Sequence, residues 1–465
     1  MLILILGVNL MLWTVVGGVR FTAERLGGRA DRRPPAETGL SPSDVAVLIP
    51  AHNEELVIAA TIDSALRLVA PGNVHVVADG CTDATATVAR ARGVNVLELT
   101  PGRGKAGGIA AAVEHFDIAG RYAVLLIADA DTRLDEHYLQ RGLPILNQPG
   151  VVALAGYARA GWRPQELSLM GRYLVAYRTR LYAVMQWLKY GQTWHWTNVT
   201  AIVPGFASMY RTSVLKAMDL NPPGLVIEDF NMTFEIHHKR LGKIGFRPAV
   251  HATTQDPDNL PDYYRQVLRW HLGFWQTLRH HGLWRSGFCA ALVLFVVEIF
   301  LASLGLVLLI VLLVIAGTAA AASQLWSAPE WVDTPVDLVA SYSPLVSVVL
   351  FLALPDYLLT CLTAVAFRRP SLLLYGVGFL ALRVVDATAM LVAIPMAWRV
   401  RSTGQWTSPT RRPVPAARPV AGQDAGPATR PGIGPGAGPS AGRAAGPAGE
   451  DRTAGTRVRG SRERP

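Results

Sequence analysis

VAVLIPAHNEE at residues 45–55 begins the part of the chain that decides the fold. Its pattern, an apolar run followed directly by polar residues, returns in VHVVADGCTD (74–83) and YAVLLIADADT (122–132). Helix-like segments alternate with these runs, which predicts an α/β domain with a mostly parallel sheet, as in nucleotide-binding proteins. The predicted strands cover residues 45–49, 74–78, 94–99 and 122–128, and the predicted helices cover 54–69, 82–92 and 106–117.

Composition and charge favour a membrane protein over one that binds nucleic acid. Of the 465 residues, 51% are hydrophobic, which is high for a soluble protein. The net charge is +10, but residues 403–465 contribute +6 of it through ten Arg and four acidic residues. This tail is rich in Pro, Gly, Ala and Arg, so we expect it to be disordered. The three Cys are widely separated in sequence, which indicates neither a disulfide framework nor a zinc site.

Four apolar segments are long enough to enter a bilayer. The first is uncharged and precedes five Arg between positions 20 and 33, which predicts an uncleaved anchor with its N-terminus outside. The connection at 318–342 is acidic and lacks Lys and Arg, so the α/β domain is expected in the cytoplasm of a multi-pass plasma-membrane protein. Arg383 and Asp386 interrupt the last segment, which leaves two or three C-terminal crossings open. The predicted division is an anchor (1–19), a basic linker (20–44), the α/β domain (45–287), a membrane region (288–400, with segments at about 288–317, 343–367 and 371–398) and the tail (403–465).

Polar side chains at the ends of two predicted strands suggest a ligand site. Asp129 and Asp131 directly follow a strand, where two carboxylates suit a hard divalent cation bound to a diphosphate. Paired Asp residues also cap helices, so this motif alone leaves both interpretations open. Asp79 ends another strand and is placed to accept hydrogen bonds from a base or ribose, although a simple turn residue is the alternative. Lys105 follows a glycine-rich turn, where its ammonium suits phosphate, with a solvated surface lysine as the alternative.

Two further motifs lie closer to the membrane segments. Glu228 and Asp229 stand where an apolar segment enters a helix-like run, a position that suits a general base toward an acceptor hydroxyl. Capping of that helix by Asp229 is the alternative. Gln266, Arg269 and Trp270 share one face of a predicted helix, where Arg suits phosphate and an indole suits a sugar ring. An Arg-Trp pair before a membrane segment is also a common interfacial anchor.

The order of these motifs resembles the processive family-2 glycosyltransferases, the group that contains cellulose, chitin, hyaluronan and poly-N-acetylglucosamine synthases. The resemblance covers roughly residues 45–412, and QxxRW after Glu-Asp and DxD is its most specific part. Ala78, His52, Ala110 and Ile227 depart from the family's usual residues, but none of these departures removes a charged catalytic group. The matching segments are IPAHNEE, ADGCTDAT, GKAGG, DADT, PGFASMYR, IEDFNMTFEI, QVLRW and GQWTSPTRR.

The resemblance implies a GT-A fold and a metal-dependent, inverting transfer from a UDP-sugar to a growing β-linked polysaccharide. Repeated addition and export are implied with it, as are Mg²⁺ or Mn²⁺ as cofactor. The implied roles are donor binding by Asp79, Lys105 and Asp129, metal binding by Asp131 and Asp129, catalysis by Asp229 as base with Glu228, and contact with the diphosphate and the acceptor by Gln266, Arg269 and Trp270.

No short motif identifies the transferred sugar, because the shape of the sugar pocket depends on contacts between residues that are far apart in sequence. A single anchor, a compact domain and a short membrane part favour N-acetylglucosamine within the family. The expected partners are a UDP-sugar, a glycan acceptor and the lipid bilayer, with no nucleic acid. Transfer of one sugar to a lipid or glycolipid is the alternative enzyme, and a membrane transporter or scaffold is the alternative outside enzymes.

Overall fold

The computed structural model describes residues 39–190, 194, 196–325, 345–399 and 411–412, together with residues 12, 15, 16 and 19. The predicted anchor and basic linker lie mostly outside the described residues, and so does the predicted tail apart from residues 411–412. The described part contains one eight-stranded sheet, helices on its faces, and a set of apolar helices that follow it in sequence.

The sheet is mixed and mostly parallel, as the sequence predicts. The strands are β1 (Val45–Ala51), β2 (Val74–Asp79), β3 (Asn95–Leu99), β4 (Val124–Ala128), β5 (Arg133–Leu134), β6 (Val151–Ala160), β7 (Ala207–Arg211) and β8 (Lys243–Thr254). Their order in the sheet is β3-β2-β1-β4-β7-β6-β8-β5. Strands β3, β2, β1 and β4 are parallel to one another. Strand β7 is antiparallel to both β4 and β6, β8 is parallel to β6, and β5 is antiparallel to β8. Strands β1, β2 and β4 are buried on both faces, which explains their continuous apolar sequences.

The helices follow the predicted positions closely in the first half of the domain. Short connections between strands and helices bring the polar ends of β1, β2 and β4 to one edge of the sheet, because these strands are parallel. The helices are α1 (Ile58–Leu66), α2 (Thr85–Arg90), α3 (Gly104–His115), α4 (Ile118–Arg121), α5 (Tyr138–Leu146), α6 (Leu169–Tyr182, continued by a π-helix at Ala183–Tyr190), α7 (Thr212–Leu215), α8 (Glu228–His238), α9 (Leu260–His281), α10 (Gly287–Leu325), α11 (Leu345–Phe367), α12 (Ser371–Gly376) and α13 (Phe379–Arg399).

Two helices among the described residues are long and apolar enough to cross a membrane. They are the Gly287–Ile315 part of α10 and the whole of α13, while α11 contributes a shorter apolar stretch at Ala353–Phe367. These lengths suggest membrane association and leave the number of crossings as a prediction.

The last apolar segment is divided, but not at the charged residues. The break falls at Val377 and Gly378, between α12 and α13. Tyr173 of α6 donates its hydroxyl to the Gly378 carbonyl, and a Cβ at this glycine would lie 3.1 Å from the Tyr173 ring. Arg383 and Asp386, whose charges interrupt the apolar sequence, both lie within α13.

Charged residues of the apolar helices pair with the sheet domain. Asp356 of α11 accepts a hydrogen bond from the buried Arg180 of α6 at 2.5 Å. Asp386 of α13 accepts hydroxyl hydrogen bonds from Tyr177 at 2.7 Å and from Tyr263 at 2.6 Å. A buried charge without such partners would be costly, so these contacts fix α6 and α9 against the apolar helices.

Candidate active site

Lys105 lies between two carboxylates at the polar edge of the sheet. Its Nζ is 2.7 Å from Asp129 Oδ1 and 2.5 Å from Glu228 Oε1. Burial lowers the pKa of Lys105, but the Asp129, Glu228 and Asp229 carboxylates together raise it above its ordinary value. Lys105 is therefore a permanent cation held inside the site, and not a solvated surface lysine.

Lys105, Asp129 and Glu228 form an ion cluster. The antiparallel pairing of β4 with β7 brings the segment before β7, residues 203–206, next to this cluster. Asp129 follows β4 directly, and its backbone N–H donates to the Phe206 carbonyl at 2.9 Å. The neighbouring Gly205 stands so close that a Cβ there would be 2.8 Å from Glu228 Oε1. The backbone N–H of Val203 also donates to Thr233 Oγ1 at 2.8 Å, which ties this segment to α8.

Asp229 is the second residue of α8 and has two backbone donors. Its Oδ2 accepts from the Gly205 N–H at 3.1 Å, and its Oδ1 accepts from the Phe230 N–H at 2.7 Å. The N-cap of the helix is Ile227, so helix capping does not account for Asp229. Burial and the neighbouring Glu228 carboxylate raise the pKa of Asp229 to about 7, although Lys105 lowers it. This carboxyl group can therefore exchange a proton near neutral pH.

Asp131 is buried and paired with an arginine from the far end of the described chain. Arg411 Nη1 donates to Asp131 Oδ2 at 2.5 Å. The same guanidinium donates to both oxygens of Glu54, at 2.8 and 2.9 Å. Burial raises the pKa of Asp131, the Arg411 charge opposes that shift, and Asp129 adds to it. Asp129 and Asp131 are thus near enough to repel each other.

The two Asp carboxylates fit a divalent cation that binds together with a diphosphate. Within the described residues, no group of three or more His, Cys, Asp and Glu could hold a metal by protein ligands alone. Mg²⁺ commonly uses one or two carboxylates and completes its coordination with phosphate and water. A cation between Asp129 and Asp131 would relieve their repulsion, but it would compete with Arg411 for Asp131.

Asp79 lies at the end of β2, on the same edge of the sheet. Its Oδ1 accepts from the Arg103 backbone N–H at 2.6 Å, in the turn that leads into α3. Gly80 has φ +62°, and a Cβ there would be 3.1 Å from Gly102, so glycine allows the two loops to touch. Asp79 therefore joins the strand end to the loop that carries Lys105.

Two residues of the QVLRW motif surround a buried arginine. Gln266 Oε1 accepts from Arg178 Nη2 at 2.6 Å, and the Arg178 guanidinium carbon is 4.4 Å from the centroid of the Trp270 ring. This confirms that Gln266 and Trp270 share one face of α9. Arg269 is half-buried on the same helix.

The sequence analysis assigned no role to four residues of the site: Glu54, Arg178, Gly205 and Arg411. Glu54 had a usable signal, because it comes shortly after the end of β1, much as Asp79 ends β2 and Asp129 follows β4. Gly205 and Arg411 stand in PGFASMYR and GQWTSPTRR, segments whose individual residues carried no assignment. Arg178 lies in a helix with several other Arg, and nothing local distinguishes it.

The family described as "Glycosyltransferase like family 2" matches this chain over residues 42–273. A curated relative, a probable glycosyltransferase of Bacillus subtilis (YdaM), is 27% identical over 242 residues, which cover 49% of this chain and 54% of the relative. The chain thus aligns with about half the length of the curated relative it matches.

Several solved structures are similar to parts of the chain. The mannosyltransferase PcManGT of Pyrobaculum calidifontis, in complex with GDP-Man and Mn²⁺, has a TM-score of 0.48 and 16% identity, covering 84% of this chain and 99% of that one. Glucosyl-3-phosphoglycerate synthase of Mycobacterium tuberculosis, with Mn²⁺, UDP and glucosyl-3-phosphoglycerate, has a TM-score of 0.34 and 20% identity, covering 51% of this chain and 80% of that one.

Proposed function

We propose, from the premise that residues 42–273 are a domain of glycosyltransferase-like family 2, that the protein transfers a sugar from a nucleotide donor to an acceptor hydroxyl with inversion. The observation that carries the proposal is the contact of Lys105 with both Asp129 and Glu228, directly beside Asp229. It combines a fixed cation for the leaving diphosphate with a carboxyl group whose pKa of about 7 suits a general base.

In the proposed reaction, Asp229 accepts the proton of the acceptor hydroxyl. The acceptor oxygen forms a bond to the anomeric carbon from the face opposite the diphosphate, and the bond from that carbon to the diphosphate oxygen breaks. The donor leaves as nucleoside diphosphate, whose added charge is stabilised by the Lys105 ammonium. When bound, a divalent cation held by Asp129 and Asp131 would neutralise further charge on the diphosphate.

We propose a UDP-sugar donor, with UDP-N-acetylglucosamine as the first candidate, and a β-linked polysaccharide product that is extended repeatedly and exported. Asp79 and Gly80 at the end of β2 support a nucleoside site on this edge of the sheet. Trp270 supports an acceptor site, because an indole face suits a sugar ring. The two long apolar helices support a membrane-bound enzyme. The absence of Lys and Arg from residues 318–342 supports a sheet domain in the cytoplasm.

The test is to assay the full chain in lipid nanodiscs against a panel of UDP- and GDP-sugars with Mg²⁺ or Mn²⁺. The measured quantities are the nucleoside diphosphate released and the length of the glycan formed. Long products from one UDP-sugar are the expected result. Products with a single added sugar would overturn repeated addition, and a lack of release from every donor would overturn the enzymatic proposal.

Gly205→Ala tests whether the close approach of Gly205 to the ion cluster matters. Its new Cβ would lie 2.8 Å from Glu228 Oε1 and 3.0 Å from Lys105 Nζ. We expect kcat/KM to fall about tenfold and the melting temperature to drop, because overpacking at a rigid site forces the ion pair apart. Gly72→Ala is the matched control, since a Cβ there meets nothing within 4 Å. Equal effects of the two substitutions would contradict this interpretation.

Arg411→Gln tests the competition between Arg411 and a cation. We expect Mn²⁺ to bind about tenfold more tightly in the absence of nucleotide, because the guanidinium no longer occupies Asp131 Oδ2. Titration calorimetry of the full chain measures the affinity. Arg412→Gln is the control, since Arg412 Nε pairs with Asp258 at 3.3 Å instead. An unchanged Mn²⁺ affinity in Arg411→Gln would count against the competition.

A further inference from the structure

Arg178 is the largest side chain that the described residues bury completely, with 0% exposure. It stands between two aromatic rings of α9, with its guanidinium carbon 4.5 Å from the Tyr263 centroid and 4.4 Å from the Trp270 centroid. Its Nη2 donates to Gln266 Oε1 at 2.6 Å. One guanidinium plane therefore contacts three residues on successive turns of a single helix face.

The surroundings of Arg178 do not suit an arginine whose role is to stabilise the fold. Its Nε and Nη1 are buried without a hydrogen-bond partner among the described residues, and so is Asp256 Oδ2. Among the described residues, the carboxylate paired with Arg178 is that of Asp256, whose Oδ1 lies 3.9 Å from Arg178 Nε. Burying an incompletely bonded ion pair is costly, and replacing such a pair with apolar or neutral groups is often neutral or stabilising. The arrangement of Gln266 and Trp270 is a better account of why an arginine is there.

The Arg178 cluster lies next to the candidate active site. The Asp131 charge contributes to raising the pKa of Asp256, after the larger effect of burial, which requires the two carboxylates to be near each other. Tyr182 of α6 lies beside Asp256, because its hydroxyl donates to Asp256 Oδ1 at 2.7 Å. Burial, then Asp256 and to a smaller extent Asp131 raise the pKa of Tyr182. Arg178 and the α9 side chains that it contacts therefore lie near the Asp131 end of the candidate site.

We propose that Arg178 is the positioning residue of the QVLRW motif. It holds the Trp270 ring by a cation–π contact and the Gln266 amide by a hydrogen bond, so that both meet the acceptor sugar in a fixed orientation. A lysine would not replace it, because an ammonium lacks the planar fork that stacks on two rings while donating sideways. The inference rests on the proposed function, in which Trp270 contacts the acceptor.

The test uses the full chain in lipid nanodiscs, with UDP-N-acetylglucosamine as donor and a β-linked N-acetylglucosamine trisaccharide as added acceptor. The variant is Arg178→Met combined with Asp256→Asn, which removes the cation without leaving a buried anion. We expect the KM for the trisaccharide to rise about tenfold or more, while the KM for the donor stays within about twofold. The melting temperature should equal or exceed that of the unaltered protein. Arg178→Lys should show the same rise in the KM for the trisaccharide.

The matched control is Arg180→Met with Asp356→Asn. Arg180 is a buried arginine on the same helix, but its partner Asp356 lies in α11 and not in the QVLRW motif. We expect these two substitutions to lower the melting temperature, because Asp356 also pairs with Arg383 at 3.0 Å, and to leave the KM for the trisaccharide unchanged. Equal losses for donor and trisaccharide in the Arg178 variant, or full activity in Arg178→Lys, would overturn the positioning role.

A spectroscopic measurement keeps this inference separate from the proposed function. The fluorescence emission of Trp270 is obtained by subtracting the emission spectrum of Trp270→Phe from that of the unaltered protein. We expect that emission to shift in the Arg178 variant, because the cation no longer lies over the ring, and to stay unchanged in the Arg180 control. A protein that uses no sugar donor would overturn the proposed function alone, whereas an unchanged Trp270 emission would overturn the positioning by Arg178.

Discussion

If the proposed transfer is correct, Asp229→Asn is expected to lower kcat by about 10³-fold while the nucleoside diphosphate still binds, because an amide cannot take the acceptor's proton. The substitution keeps an oxygen that can accept from the Gly205 N–H, so the local fold should persist. Radiolabelled product measures kcat, and calorimetry measures the affinity for UDP. Asp63→Asn, at an exposed acidic residue that pairs with Arg92, is the control and should retain full activity.

The pH profile provides a second measurement on the same residue. A base must be ionised to work, and the pKa of Asp229 is raised from an ordinary 3.8 to about 7. The rate should therefore rise with pH through about 7 and then level off, whereas an unperturbed carboxylate would already be ionised by about pH 5. A rate that is flat between about pH 5 and about pH 8 would remove Asp229 from the role of base.

Lys105→Met is expected to have the largest effect on stability. It leaves Glu228 and Asp129 without the cation that contacts both, and removing one partner from a buried ion cluster costs about 3 kcal/mol. Donor turnover should be lost as well, because the leaving diphosphate loses a fixed positive charge.

A double variant separates these two effects of Lys105. Lys105→Met with Glu228→Gln removes one cation and one anion together, so the melting temperature should return close to that of the unaltered protein. Transfer should remain lost, because the diphosphate still lacks its cation. Recovery of both stability and transfer in the double variant would show that Lys105 serves the fold alone.

The strand ends could be predicted from sequence because each depends on a local pattern. An apolar run followed by Asp79, or by Asp129, fixes both the strand and the edge of the sheet on which the carboxylate lies. The same locality explains the grouping of Gln266 with Trp270, which needs only helical spacing.

The partners of these residues could not be predicted in the same way. Arg411 is 280 positions from Asp131, and Arg178 is 88 positions from Gln266, so only the folded chain brings them together. The break at Gly378 is likewise contacted by Tyr173, which lies 205 positions earlier in the chain. The Asp386 carboxylate accepts from Tyr177 and Tyr263, and these partners also come together only in the folded chain.

The pairing of Asp356 and Asp386 with the sheet domain has a practical consequence for purification. A fragment cut before Gly287 would leave Arg180 without its carboxylate and the hydroxyls of Tyr177 and Tyr263 without their acceptor. It would also uncover the apolar surfaces of α6 and α9 that the later helices cover. Such a truncated protein should aggregate when expressed without detergent, so biochemical work on this chain should begin from the intact polypeptide.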